Sequence, residues 1–188
     1  MTPICDFFIN NGTDHQKRSL MDILAFDDKE FDQCHDFIQW IFPLHEASRM
    51  RGFSPVLTKE DAEILQGSEV AKRNILLALN RYKIFLGLKT SSPKDIELKS
   101  APPIKSLKDA IGHVFDKTIL LYFWCKNGEH NLLRITRVIR SLRLFGLEEE
   151  ARKFYSQVLA IGIRNHLGPT TIDYWNRALE EPVFDSLY

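Results

Sequence analysis

The sequence predicts an all-α fold, a single globular helical domain of about seven or eight helices. Three observations carry that reading. Apolar residues recur at three- and four-residue steps nearly everywhere, while the sustained alternation of a half-buried strand is scarce. Capping residues and glycines fall at the ends of those periodic runs. The chain has 188 residues and 44% hydrophobic content, enough to bury one real core.

Taken in order, "HQKRSLMDILAF" reads as a short helix with Leu20, Ile23 and Leu24 inward. "DDKEFDQCHDFIQWIFPL" opens with Asp27 three residues before Glu30, a capping-box pattern that satisfies free amides. Phe31, Cys34, Phe37, Ile38 and Ile41 continue it as one helix, which Pro43 stops by removing a donor. A loop containing Gly52 and Pro55 follows. Thr58, with Asp61 three residues on, caps "TKEDAEILQ". Gly67 interrupts, and Ser68 caps "EVAKRNILLALNRYKIFLGL", where Val70, Ile75, Leu79, Tyr82 and Phe85 form a buried stripe. Gly87 terminates that helix.

Residues 88–106 form a loop, with Pro93, Pro102 and Pro103 among serines and lysines. "LKDAIGHVFDKTILLYFW" is a further helix, ended by Gly128. Next come a helix over 131–145, then "LEEEARKFYSQVLAIGI" and "TIDYWNRALEE". The last of these starts after Pro169 with Thr170 or Thr171 as its cap. No repeat or low-complexity tract divides the chain, so residues 1–188 read as one domain.

The charge balance is even, 25 Lys+Arg against 25 Asp+Glu, which argues against a dedicated nucleic-acid binder. Cys5, Cys34 and Cys125 are odd in number and widely spaced, and read as reduced thiols. The first residues lack a basic leader with an apolar core, and runs such as "ILLYFWC" are too short to span a bilayer. A cytoplasmic protein without a transmembrane segment is the expectation.

The most distinctive stretch is "HNLLRITRVIRSLRLFGLEEEA", with arginines at 134, 137, 140 and 143. On a helix, three-residue steps drift by about 60°, so the four spread over roughly half the circumference. Leu132, Ile135, Val138, Ile139, Leu142 and Phe145 fill the opposite arc, with Asn131 as N-cap candidate and Gly146 just past the end. The first reading is structural. The arginines pair with acidic groups such as the row Asp28, Asp32 and Asp36, or with Glu148, Glu149 and Glu150. The functional reading is a site for carboxylate or phosphate, held bidentately by guanidinium forks. Leu133 and Leu144 within the basic arc suggest that it is partly covered.

Other chemistry leaves little trace. GxSxG, HExxH and P-loop motifs are absent. Cys34–His35 are adjacent and Cys125–His130 five apart, neither with a second pair nearby, so no metal ligands and no cofactor are expected. In "FIQWIFP", Trp40 and Phe42 precede Pro43; they read as core, or alternatively as the wall of a peptide groove.

"HDFIQWIFPL", "LTKEDAEILQGSEVAKRNILLALNRYKIFLGL" and above all "HNLLRITRVIRSLRLFGLE" resemble the conserved region of the opioid growth factor receptor, in order and spacing, from about Phe7 to Leu179. The resemblance implies no catalytic residues. The namesake animal receptor binds methionine-enkephalin and restrains proliferation. It is not of the seven-helix membrane type. By analogy, a perinuclear or membrane-associated location is the alternative to the cytoplasm.

Together these readings point to a non-enzymatic helical module that engages a peptide or protein segment. Arg134, Arg137, Arg140, Arg143, Trp40 and Phe42 are the candidate ligand-binding residues. The alternatives are nucleic-acid or phosphate-ligand binding through the arginine helix, and an unrecognised enzyme.

Overall fold

Helix starts are written locally, in side chains that can satisfy the free amides of a first turn. A computed structural model shows how far that local code carries; it describes residues 1–47, 54–88, 90 and 122–184. Nine helices lie among the described residues, and isolated bridges are the sole β pairing there. None of these helices is long and apolar enough to cross a membrane.

Helix α1 (Pro3–Ile9) was not expected from periodicity. It is started by the Thr2 side chain, which accepts from the Cys5 amide, with Pro3 in the first turn. Helix α2 (Leu20–Leu24) and helix α3 (Asp28–Gln33) both begin in full capping boxes, Ser19 with Asp22 and Asp27 with Glu30. Helix α4 (Ile38–Ile41) is a single turn. The one helix expected across 27–42 is therefore two. At Cys34 the backbone turns extended, with φ −78° and ψ 129°.

Helix α5 (Lys59–Gly67) starts in the Thr58–Asp61 box, and helix α6 (Glu69–Phe85) is capped by Ser68. Val70 is the exception to its expected stripe: it sits in the first turn and is 37% exposed, whereas Ile75, Leu79, Tyr82 and Phe85 are buried. Helix α7 (Asn131–Leu144) carries the four arginines, and helices α8 (Glu148–Arg164) and α9 (Pro169–Glu180) follow. The cap residue of α7 is His130, not Asn131, and that of α9 is Gly168, with Pro169 rather than a threonine leading the first turn. Leu88 and the residue at 90 are the described part of the expected loop, and Tyr122–Trp124, expected at the end of the following helix, form a turn instead, with Tyr122 at φ +64°. Most of both lies outside the described residues, as does Gly52.

Helices α6 and α7 end alike. Gly87 (φ +70°) and Gly146 (φ +71°) take the left-handed conformation that an L side chain resists. Leu88 donates back to the Lys83 carbonyl and Leu147 to that of Leu142, closing two Schellman turns.

The core joins both halves of the chain. Helix α7 packs on α8 and α9, and α1 packs on α5 and α6. Phe8 of α1 meets Phe145 at the end of α7, ring centroids 4.9 Å apart. Tyr82 of α6 touches Phe42 and Phe154. Two buried indoles add directed links: Trp124 Nε1 donates to the Leu86 carbonyl at 2.9 Å, and Trp175 Nε1 to that of Leu132 at 3.1 Å.

Candidate functional site

The apolar arc of α7 faces inward as its spacing requires, and this decides where its arginines go. Leu132, Ile135, Val138, Ile139, Leu142 and Phe145 are all buried. Of the two leucines inside the basic arc, Leu144 is buried but Leu133 is 67% exposed.

Arg134 is buried, and backbone oxygens supply most of its hydrogen bonds. Its Nη1 donates to the Phe31 carbonyl at 2.7 Å and to Asn131 Oδ1 at 3.2 Å. Its Nη2 donates to the carbonyls of Cys34 at 2.8 Å and Asp32 at 3.3 Å, and lies 2.9 Å from His35 Nδ1. The last carbonyls of a helix have no partner inside it. Arg134 collects those at the end of α3, which gives the break at Cys34 its physical cause. Burial pulls its pKa below the ordinary arginine value, opposed by the charges of nearby groups including Asp32 and Glu129.

Arg143 does the same for α9. Its Nη1 donates to the carbonyls of Ala178 (2.9 Å) and Glu181 (2.6 Å), while Nε reaches Glu148 at 3.0 Å. Glu148 is thus the one expected acidic partner that an arginine of α7 uses. Glu149 and Glu150 pair with Lys153. The row Asp28, Asp32 and Asp36 is engaged elsewhere: Asp28 by Arg81 at 2.9 Å, Asp32 by Asn131 and His130, and Asp36 by Arg18 at 3.1 Å. The break in the backbone also removes Asp36 from the helix that would have aligned it with the other two.

Arg137 and Arg140 are different. Arg137 is half-buried, donates through Nη1 to the Phe42 carbonyl at 3.1 Å, and has no ion pair among the described residues. Burial pushes its pKa down to about 10, with only the charge of Glu46 opposing, so it stays cationic at neutral pH. Arg140 pairs with Glu46 at 2.7 Å, and that carboxylate is 44% exposed.

The aromatic candidates lie in the interior. Trp40 is 6% exposed, against Phe7 (5.4 Å) and stacked near His15 (6.4 Å). Phe42 is fully buried beside Tyr82. What Phe42 offers α7 is its carbonyl, not its ring.

Sequence reasoning missed Arg81, a buried arginine that holds one main-chain carbonyl and the Asp28 carboxylate. It is buried over the Phe31 ring at 4.2 Å and donates to the Phe26 carbonyl at 2.7 Å. Its placement inside the apolar run of α6, between Leu79 and Tyr82, was the available signal. Also missed was the convergence of Asp32, Glu129 and His130, whose ligand-type atoms lie within 4.8 Å of one another.

The sequence profile of the opioid growth factor receptor (OGFr) conserved region matches residues 10–180. "Opioid growth factor receptor-like protein 1" of Xenopus tropicalis is 26% identical over 122 residues, covering 65% of this chain and 21% of the relative. The mouse protein of the same name is 26% identical over 122 residues, 23% of its length. This chain therefore spans about a fifth of the length of the curated relatives that it matches. No solved structure matches it.

Proposed function

The chain belongs to the family of the opioid growth factor receptor conserved region, and from that premise we propose that residues 1–188 act as a non-enzymatic helical binding module for an acidic peptide or protein segment. The rim formed by Arg137 and Arg140 supplies the charge recognition. The relatives are named as receptor-like proteins, a description of them that accords with a binding role here.

The observation that carries this reading is the unequal use of the four guanidinium groups. Arg134 and Arg143 each hold the closing carbonyls of a helix. Arg137 makes one carbonyl contact and no ion pair among the described residues, and the partner of Arg140 is an exposed carboxylate. A fork with unused donors in a partly desolvated setting favours a carboxylate, and Glu46 already shows that one fits beside Arg140. Displacing an exposed pair costs about 1 kcal/mol or less, so a ligand carboxylate can take its place.

The test is a screen of acidic peptides against the full chain, followed by titration of the hits. Arg137→Gln and Arg140→Gln each weaken binding by about tenfold, one lost charged contact at about 1.4 kcal/mol, with the circular dichroism spectrum retained. Arg152→Gln, on the exposed side of α8, is the control. Equal losses in all three variants, or none in the first two, sink the proposal. Competition by nucleic acid with a steep salt dependence would instead favour a phosphate ligand.

A further inference from the structure

Where the end of α3 meets the start of α7, three side chains converge that the arginine rim does not use. His130 Nε2 lies 3.4 Å from Asp32 Oδ1, and its Nδ1 lies 2.7 Å from Glu129 Oε1. The imidazole thus sits between two carboxylates, with a different nitrogen facing each. With a proton on Nδ1, on the Glu129 side, the Nε2 lone pair faces Asp32. Carboxylate, imidazole and open position in that order make up the arrangement that orients histidine ligands of metals. The separation fits as well. Two ligand atoms each about 2.1 Å from a tetrahedral ion stand about 3.4 Å apart.

The surroundings hold this set in place. Asn131 is fully buried, and its Nδ2 donates to Asp32 Oδ1 at 3.1 Å and Glu129 Oε1 at 3.2 Å. Its Oδ1 accepts from Arg134, so the guanidinium that ends α3 also anchors the organiser of the cluster. Neither carboxylate has a Lys or Arg ion pair among the described residues, where His130 is the ion-pair partner of each. His130 is 42% exposed, which leaves an approach from solvent.

We propose that Asp32, Glu129 and His130 form a binding site for one divalent transition-metal ion of the zinc class. His130 Nε2 and the Asp32 carboxylate are direct ligands. Glu129 holds the imidazole from its Nδ1 side as an outer-shell carboxylate, within 4.8 Å of the other ligand-type atoms. The mixed nitrogen and oxygen donors suit zinc, nickel or cobalt better than magnesium, which prefers an all-oxygen shell. The ion would bridge α3 to α7 while leaving coordination positions open to solvent. This site is independent of the Arg137–Arg140 rim.

The experiment titrates the full, metal-stripped chain with Zn²⁺ in a chromophoric-chelator competition, with a thermal melt alongside. One equivalent binds, and the melting temperature rises. His130→Asn and Asp32→Asn abolish both effects. Glu129→Gln weakens binding by about 10–100-fold, the range for an outer-shell carboxylate. Cys5→Ser and Cys125→Ser leave the titration unchanged. Because His130 is half exposed, a folded His130→Asn that still binds one equivalent overturns the proposal, as does a native chain that binds none. In the second case His130 is simply an ion-pair partner of two carboxylates.

Discussion

Removing the donors of Arg134 while keeping its bulk tests the claim that one arginine ends α3. Arg134→Met retains most of the methylene packing and deletes the guanidinium. The native side chain holds two short contacts, to the carbonyls of Phe31 (2.7 Å) and Cys34 (2.8 Å), in a position only 6% exposed. Hydrogen bonds to a charged group contribute about 1.5–3 kcal/mol each, so losing both costs about 3–6 kcal/mol. Releasing a buried guanidinium from its desolvated site returns part of that. A net loss of about 3 kcal/mol is expected, a large share of a domain's usual 5–15 kcal/mol. At a urea m-value of about 2 kcal/mol/M, the unfolding midpoint falls by about 1.5 M, read by tryptophan fluorescence and circular dichroism. Arg134→Lys recovers less than half, because one ammonium cannot serve carbonyls on both sides of a fork. A destabilisation below about 1 kcal/mol in Arg134→Met, or full rescue by lysine, would refute the reasoning.

Two further stability predictions separate local from tertiary effects. Gly87→Ala and Gly146→Ala both force an L residue into the left-handed region, at about 1–2 kcal/mol each. Gly146→Ala costs about 1 kcal/mol more, because its Cβ meets Gln66 Cγ at 3.3 Å and disturbs the Gln66 bond to the Leu144 carbonyl, whereas a Cβ at Gly87 meets nothing within 4 Å among the described residues. Equal urea midpoints for the two variants would contradict this. Asp61 governs an acid limb of stability. Burial raises its pKa, but hydrogen bonds from Thr2, the Thr58 amide and Cys5 outweigh that and hold it below the usual aspartate value. The unfolded chain therefore takes up this proton first as pH falls. The stabilisation is complete above the unfolded value of about 3.9 and is lost as pH drops through the folded one. Asp61→Asn lowers stability at pH 7, and its deficit shrinks below about pH 4. A deficit that stays constant from pH 6 to pH 3 would show that the carboxylate charge plays no part.

Most helix boundaries were legible because their causes lie within four residues. The Asp27–Glu30 and Thr58–Asp61 boxes, the Ser68 cap and the glycines at 87 and 146 all act where spacing placed them. The inward face of α7 followed from 3.6-residue periodicity alone. Helix α1 was also within reach, since Thr2 followed by Pro3 is a start signal, but its run was too short for periodicity to register.

The sequence by itself thus determined most of the helices, most of their caps and the buried arc of the arginine helix. The tertiary structure decided what the arginines do. Arg134 reaches Phe31 across 103 positions, and Arg143 closes a helix that begins after α8. Their acceptors are main-chain carbonyls, which every residue carries, so no residue type marks them in advance. The same holds for the gathering of Asp32 with Glu129 and His130, where Arg134 and Asn131 tie the end of α3 to the start of α7. Local hydrogen bonds can be read from spacing, whereas a long side chain meeting a distant backbone oxygen has to be seen in place.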